Sequence, residues 1–248
     1  MDNLQPIIAI QDLVAKYDDK TVLNGITADI FPNQITVILG GSGCGKTTLL
    51  RNILRLNEPF AGSVQFWGKE ILTMEEAEYS EVLKKCGMLF QNGALLNSIS
   101  VYENIGIPIE LHTKLSPAIR DRMIRVKLHL VRLDEAIYKY PSELSGGMKK
   151  RAALARAIAL DPQILFCDEP SAGLDPLTSA ALDELILDLK KQLNMTIVVV
   201  THELASIHRI ADRIIFLEGG LMLFSGTLQE AYNAGIPQID TFFRVGKF

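Results

Sequence analysis

Gly40-Gly41-Ser42-Gly43-Cys44-Gly45-Lys46-Thr47 fits the spacing G-x-x-x-x-G-K-[ST] and directly follows an oily run, Ile35–Leu39. Glycines let successive N–H groups curl round phosphate oxygens. The helix-like stretch behind them, Lys46–Leu56, adds the positive end of its dipole. Lys46 is then placed to reach the β and γ phosphates of a nucleotide, and the Thr47 hydroxyl to bind Mg²⁺. The alternative is a merely flexible glycine turn. A second oily run, Ile164–Cys167, ends in adjacent carboxylates, Asp168 and Glu169. Asp168 is expected to hold the metal, and Glu169 to act as general base on a hydrolytic water. The alternative there is an acidic strand end facing solvent.

Two more polar residues close strand-like runs. Gln91 follows Gly87–Phe90, and His202 follows Thr196–Val200 across Thr201. In a parallel sheet all strand C-termini lie on one edge, where ligands bind. Gln91, Glu169 and His202 are therefore expected to converge near the γ-phosphate held by Lys46. Gln91 would help hold metal and water, and His202 would contact the phosphate. A second glycine signal is Leu144-Ser145-Gly146-Gly147-Met148, ahead of a helix-like run from Lys149 to Leu160. Ser145 and the two glycines make a helix N-terminus with approachable N–H groups, again an anion site. Lys149, Lys150 and Arg151 in its first turns oppose the helix dipole. Either a phosphate ligand nearby or plain solvation of a basic helix start would account for them.

These residues need elements to position them. The runs Ile35–Leu39, Gly87–Phe90, Ile164–Cys167 and Thr196–Val200 are short and do not alternate, as strands covered on both faces do not. Helix-like stretches at Lys46–Leu56, Ala180–Leu193 and Ala205–Ala211 follow, which predicts an α/β core. Ile7–Ile30 and Ser63–Trp67 read as antiparallel strands, and Arg213–Leu217 with Leu221–Ser225 as a hairpin. The middle of the chain has helical character. Ser116-Pro117 is a helix start, and Ile119, Met123, Val126, Leu130 and Leu133 recur at helical spacing. A helical lobe inserted in the core is expected, with a plain run of core helices as the alternative.

Composition bounds the rest. The chain has 248 residues, 48% apolar and 22% charged, enough for a substantial core and unlike a disordered chain. With 25 basic against 29 acidic residues, bulk positive charge does not draw it to nucleic acid. Mean hydropathy is +0.19, yet no run of 18 apolar residues predicts a membrane span. The start of the sequence lacks the basic region and cleavage site of a signal peptide. Cys44, Cys86 and Cys167 are odd in number and scattered, which fits free thiols in a reducing compartment. The four histidines, His112, His129, His202 and His208, form no metal-ligand pattern.

Phosphate loop, carboxylate pair, strand-end Gln and His, and Leu-Ser-Gly-Gly together resemble the ATP-binding cassette family of ATPases, in order and spacing over nearly the whole chain. The resemblance implies a P-loop ATPase fold with a parallel core sheet, an antiparallel β-subdomain and an inserted helical subdomain. Residues 1–94 and 161–235 would form the ATPase core with its β-subdomain, 95–160 the helical subdomain and 236–248 a tail. It implies that Tyr17 stacks on adenine and that Gly40, Gly41, Ser42, Gly43, Cys44, Gly45, Lys46, Thr47 and Thr48 bind ATP. Catalysis would fall to Glu169, His202, Gln91 and Lys46, and Mg²⁺ to Thr47, Gln91 and Asp168. Ser145, Gly146, Gly147 and, after Ala172-Gly173-Leu174, Asp175 would act on ATP held by a second copy of the chain. Two departures, Met148 for the commoner Gln and Gly41 for Pro, remove no ligand group.

A narrower resemblance lies in Leu89-Phe90-Gln91-Asn92-Gly93-Ala94-Leu95-Leu96 with Ser100-Val101-Tyr102-Glu103-Asn104, and in Glu143 to Met148 with Arg151 to Ala157. These look like the ATPase of MCE-type lipid transporters, where Met148 is typical. That branch implies phospholipid movement across the envelope of a double-membraned bacterium. The chain would be peripheral on the cytoplasmic face of the inner membrane, with an integral membrane permease and an MCE lipid-binding protein as partners. The rivals are an importer ATPase for small molecules such as amino acids, and a soluble non-transport cassette. A P-loop kinase or GTPase leaves Leu-Ser-Gly-Gly and His202 unexplained. The oily tail residues Phe242, Phe243, Val245 and Phe248 either pack on their own core or contact another subunit.

Overall fold

A computed structural model describes residues 5–18 and 20–245. The reading of the first four residues and that of Phe248 lie outside the described residues, as does the side chain of Val245. The chain divides into two compact units, Met1–Ser80 with Thr196–Phe248, and Glu81–Met195.

The first unit holds two sheets. One runs β2-β1-β4-β5, from β1 (Ile8–Tyr17), β2 (Lys20–Ile30), β4 (Ala61–Phe66) and β5 (Lys69–Glu70), all antiparallel. Its inward residues, Ile8, Ile10, Leu13, Leu23, Ile26 and Val64, are fully buried. Trp67, on the turn between β4 and β5, has φ 50 and a ring centroid 5.7 Å from that of Phe66. The other sheet centres on β3 (Ile35–Gly40), parallel to β8 (Thr196–Val200) on one side and to β9 (Arg213–Glu218) on the other. β10 (Leu221–Thr227) adds antiparallel to β9 through Gly219-Gly220, the hairpin expected from sequence. Every residue of β3 and β8 is buried, so both of their faces are covered, which explains the unbroken apolar runs. α1 (Lys46–Ile53) follows β3 through the glycine loop. A further helix of this unit, α7 (Leu204–Ile210), follows β8; α8 (Leu228–Asn233) follows β10, and α9 (Pro237–Val245) comes last.

The tail helix α9 packs on its own chain. Ile239 and Phe243 are buried, Phe243 lies 4.9 Å from the Tyr232 ring, and Phe242 meets Phe216 edge-on at 5.4 Å. Tyr232 Oη in turn lies 2.7 Å from His208 Nδ1.

α2 (Glu76–Leu83) leads into the second unit, where β6 (Cys86–Leu89) pairs in parallel with β7 (Ile164–Asp168). Between them come α3 (Val101–His112), α4 (Pro117–Leu130) and α5 (Gly146–Ala157), and α6 (Pro176–Leu193) follows β7. α3 opens with a capping box: the Ser100 hydroxyl accepts from Glu103 N, and the Glu103 carboxylate accepts from Ser100 N at 2.7 Å. Pro117 opens α4 as expected, but the Ser116 side chain makes no capping bond. The helix expected from the spacing of Ile119, Met123, Val126 and Leu130 is present, and Leu133 just beyond it is buried. Ile119 and Val126 are 47% and 54% exposed, while Ile124 and Leu128 are buried. Two apolar rows run along this helix, and spacing alone does not say which one faces the core. Among the described residues, no helix is long and apolar enough to cross a membrane.

Candidate active site

The glycine loop starts where β3 ends. Gly45 caps α1 with φ 104, and a Cβ there would also stand 2.6 Å from Leu23 Cδ2. Lys46 is buried, and its Nζ donates to the carbonyls of Gly40 and Gly41 at 3.0 and 2.9 Å. The ammonium is thus folded over its own loop, and the exposed Gly41, Ser42 and Gly43 form the rim. Cys44 is buried beneath, 4.0 Å from Lys46 Nζ. Burial pushes its thiol up despite that cation. Thr47 and Thr48 follow, half-buried, in the first turn of α1.

Beside this loop β8 delivers His202. Ile38 pairs with Val200, Thr201 N donates to Ile38 O at 3.3 Å, and Glu203 N donates to Thr201 Oγ1 at 3.1 Å. Gly40 and His202 therefore both stand two residues past that register pair, at one sheet edge. Tyr17, at the end of β1, is 46% exposed, and its hydroxyl accepts from Asn57 Nδ2 at 2.6 Å. Its neighbours Lys16 and Asp18 line an open hollow of about 560 Å³ with Glu58, Pro59 and Phe60. The Lys16 ammonium lies 3.5 Å from the centre of the Phe60 ring. An exposed aromatic ring beside such a hollow can stack on a flat base.

The second unit assembles the carboxylates in the same manner. Leu89 pairs with Cys167, so Gln91 and Glu169 each lie two residues past the pair. Asp168 is buried at the end of β7, and Glu169 is half-buried. Glu169 has φ 45, a left-handed backbone that costs a residue with a Cβ about 1–2 kcal/mol. Cys167 beneath them is fully buried, and its thiol is pushed up to about 12. The four strand-end groups thus form two pairs, Gly40 with His202 and Gln91 with Glu169.

Ser145 caps α5, accepting from Met148 N at 3.3 Å, with Gly146 and Gly147 as the first helical residues. The first N–H groups of a helix have no intrahelical acceptor, so this end suits an anion. A Cβ on Gly147 would lie 2.6 Å from Thr178 Cγ2. Asp175 caps α6, accepting from Leu177 N and Thr178 N at 3.1 and 3.0 Å. The Thr178 hydroxyl and these amides hold its carboxyl below the usual range.

Lys150 is the residue that sequence reasoning left among its neighbours. Lys149 is exposed and Arg151 half-buried, but Lys150 is buried and its Nζ donates to the carbonyls of Gln91 (2.5 Å) and Glu169 (3.2 Å). Cations in this turn oppose the helix dipole, and Lys150 meets main-chain oxygen there.

The chain matches the ABC transporter family over residues 23–172. It is 39% identical to the intermembrane phospholipid transport system ATP-binding protein MlaF of Haemophilus influenzae, over 97% of this chain and 91% of that one. It is also 39% identical to the probable ribonucleotide transport ATP-binding protein mkl of Mycobacterium leprae, over 95% and 68%. Among solved structures, the dimeric ATP-binding cassette MJ0796, in a post-hydrolysis state bound to ADP and Pi, aligns with TM-score 0.81 at 27% identity, over 89% and 98%.

Proposed function

The chain belongs to the ABC transporter family and hydrolyses ATP, and from that premise we propose that it powers phospholipid transport across a bacterial envelope. Two copies would close round two ATP molecules, alongside an integral membrane permease and an MCE lipid-binding protein. The chain would then sit peripherally on the cytoplasmic face of the inner membrane. In this scheme residues 1–94 and 161–235 form the ATPase core with its β-subdomain, 95–160 the helical subdomain and 236–248 the tail. The observation that carries the lipid cargo is identity with the phospholipid-system protein along almost the whole chain.

The groups divide the work as follows. The loop from Gly40 to Thr48 and the Lys46 ammonium take the phosphates, and Tyr17 stacks on the adenine. Thr47, Gln91 and Asp168 all offer oxygen, the donor type Mg²⁺ prefers, and would hold that ion. Held there, it would supply positive charge to offset that of the phosphates. Glu169 takes the proton of the attacking water, Gln91 orients that water and His202 contacts the γ-phosphate. Ser145, Gly146, Gly147 and Asp175 would act on the ATP of the partner copy. Phosphoryl transfer needs mainly such positioning and charge stabilisation. ATP that favours the closed pair over the open one can then drive a coupled permease.

Glu169→Gln tests the mechanism: turnover is expected to drop ~10²–10⁴-fold with ATP still bound, measured by phosphate release. Near-normal turnover would refute the base assignment. For the cargo, a tagged chain purified from native membranes should bring down a permease together with an MCE protein. A permease without one would favour small-molecule transport, the reading suggested by the ribonucleotide description of the Mycobacterium leprae relative.

A further inference from the structure

We infer that Lys150 is a positioning residue for ATP hydrolysis: from helix α5 it fixes, through one ammonium, the main chain of both Gln91 and Glu169. The inference rests on the roles proposed above for those two residues. Lys150 is buried, and its Nζ donates to Gln91 O and to Glu169 O. A buried ammonium is unfavourable unless hydrogen-bonded, so these two bonds are costly to give up.

The two carbonyls are placed where control is needed most. Sheet pairing between β6 and β7 ends at Leu89 and Cys167. Beyond it no ladder bond aligns Gln91 with Glu169; the ammonium takes over that task. Glu169 also sits at φ 45, a conformation that persists only when its surroundings over-determine it. Its carbonyl accepts from Ala172 N at 3.2 Å as well as from Lys150, so its peptide plane is held from two sides. Holding that plane restrains ψ of Glu169, and so the stretch of backbone from which its carboxylate extends. The same helix grips the loop after Gln91 a second time, through Arg156, which donates to Gly93 O and Ala94 O at 2.9 and 2.7 Å. Ser145 and Gly146 begin this helix. One helix thus carries both the anion-suited N-terminus and the cation that holds the main chain of the general base and of the water-orienting glutamine.

The test is Lys150→Met in the full chain, beside Lys150→Arg and Glu169→Gln. The Met variant should lose turnover ~10–100-fold with KM for ATP within threefold, because misplacement of a reacting group acts on kcat. Lys150→Arg, which keeps a cation with several donors, should recover most of it. In Mg-ATP the Met variant should accumulate a dimer on size exclusion, as is expected of Glu169→Gln, because ATP still binds and is consumed slowly. A kcat within twofold of the parent overturns the inference. So does joint loss of ATP binding and turnover, which would mark a purely structural lysine, or an Arg variant no better than Met. If Glu169→Gln itself turns over normally, the proposed base falls and this inference with it. If Glu169→Gln is inactive and Lys150→Met normal, only the inference about Lys150 falls.

Discussion

Two glycine-rich turns begin two helices, α1 and α5, and use glycine for different reasons. In the phosphate loop the backbone demands it: Gly45 has φ 104, a conformation that a Cβ resists wherever it occurs. In the Ser145 turn, Gly147 has ordinary helical backbone and the neighbour demands it, because Thr178 Cγ2 would lie 2.6 Å from a Cβ. The cations differ as well. Lys46 is held by the carbonyls of its own loop, whereas Lys150 reaches past its turn to two strand ends. The first turn is a self-contained ligand cradle. The second is a joint between helices and strands. Glycine richness in a sequence marks both and distinguishes neither.

The strongest challenge to this contrast is to remove the cation of the cradle. Lys46→Ala should weaken ATP binding to the isolated chain about a hundredfold or more, since hydrogen bonds to a charged group contribute ~1.5–3 kcal/mol each. Ser145→Ala should leave that affinity within about twofold and lower only ATP-driven dimerisation; calorimetry and size exclusion read the two. Equal losses of affinity would erase the distinction. Next in size is Gly45→Ala, expected to destabilise by ~2–3 kcal/mol in urea unfolding, from backbone strain added to the clash with Leu23. Adding Leu23→Ala should not restore it, because the strain remains. Smallest is Gly147→Ala. Its overpacking against Thr178 is offset by up to ~1 kcal/mol of helix propensity, so the net loss should stay below ~2 kcal/mol. Thr178→Ser, which removes the crowded methyl, should recover it. Rescue of Gly45→Ala, or failure to rescue Gly147→Ala, would reverse the assignment.

What could be read from the sequence follows the same division. Strands covered on both faces announce themselves as unbroken apolar runs: Thr196–Val200 coincides with β8 to the residue, and Ile35–Leu39 falls short of β3 only by Gly40. The phosphate loop was legible because its chemistry is local: consecutive residues, one strand before, one helix after. Residues whose work depends on distant partners were not. Lys150 lies among three basic residues, and only the packing of α5 against β6 separates it from exposed Lys149. The row of Ile119 and Val126 has the spacing of a core face, yet Ile124 and Leu128 face inward. Helical periodicity fixes a row's angle to the axis, not its direction relative to the rest of the molecule. Asp175 illustrates an intermediate case. Its place after the carboxylate pair was visible, and its capping of α6 emerges only from the bonds to Leu177 N and Thr178 N.

The chain has one tryptophan, and Trp67 sits on the turn between β4 and β5, within the unit that carries the phosphate loop. One half of the molecule thus carries the single tryptophan and the other half none. On heating, tryptophan emission follows the loss of the four-stranded sheet, while ellipticity at a helical wavelength is weighted toward α3 to α6 of the other unit. Coincident midpoints would mean that both halves melt as one cooperative body. Ellipticity lost at a lower temperature than tryptophan emission would mean that the half holding Glu169 can loosen while the half holding Lys46 stays folded.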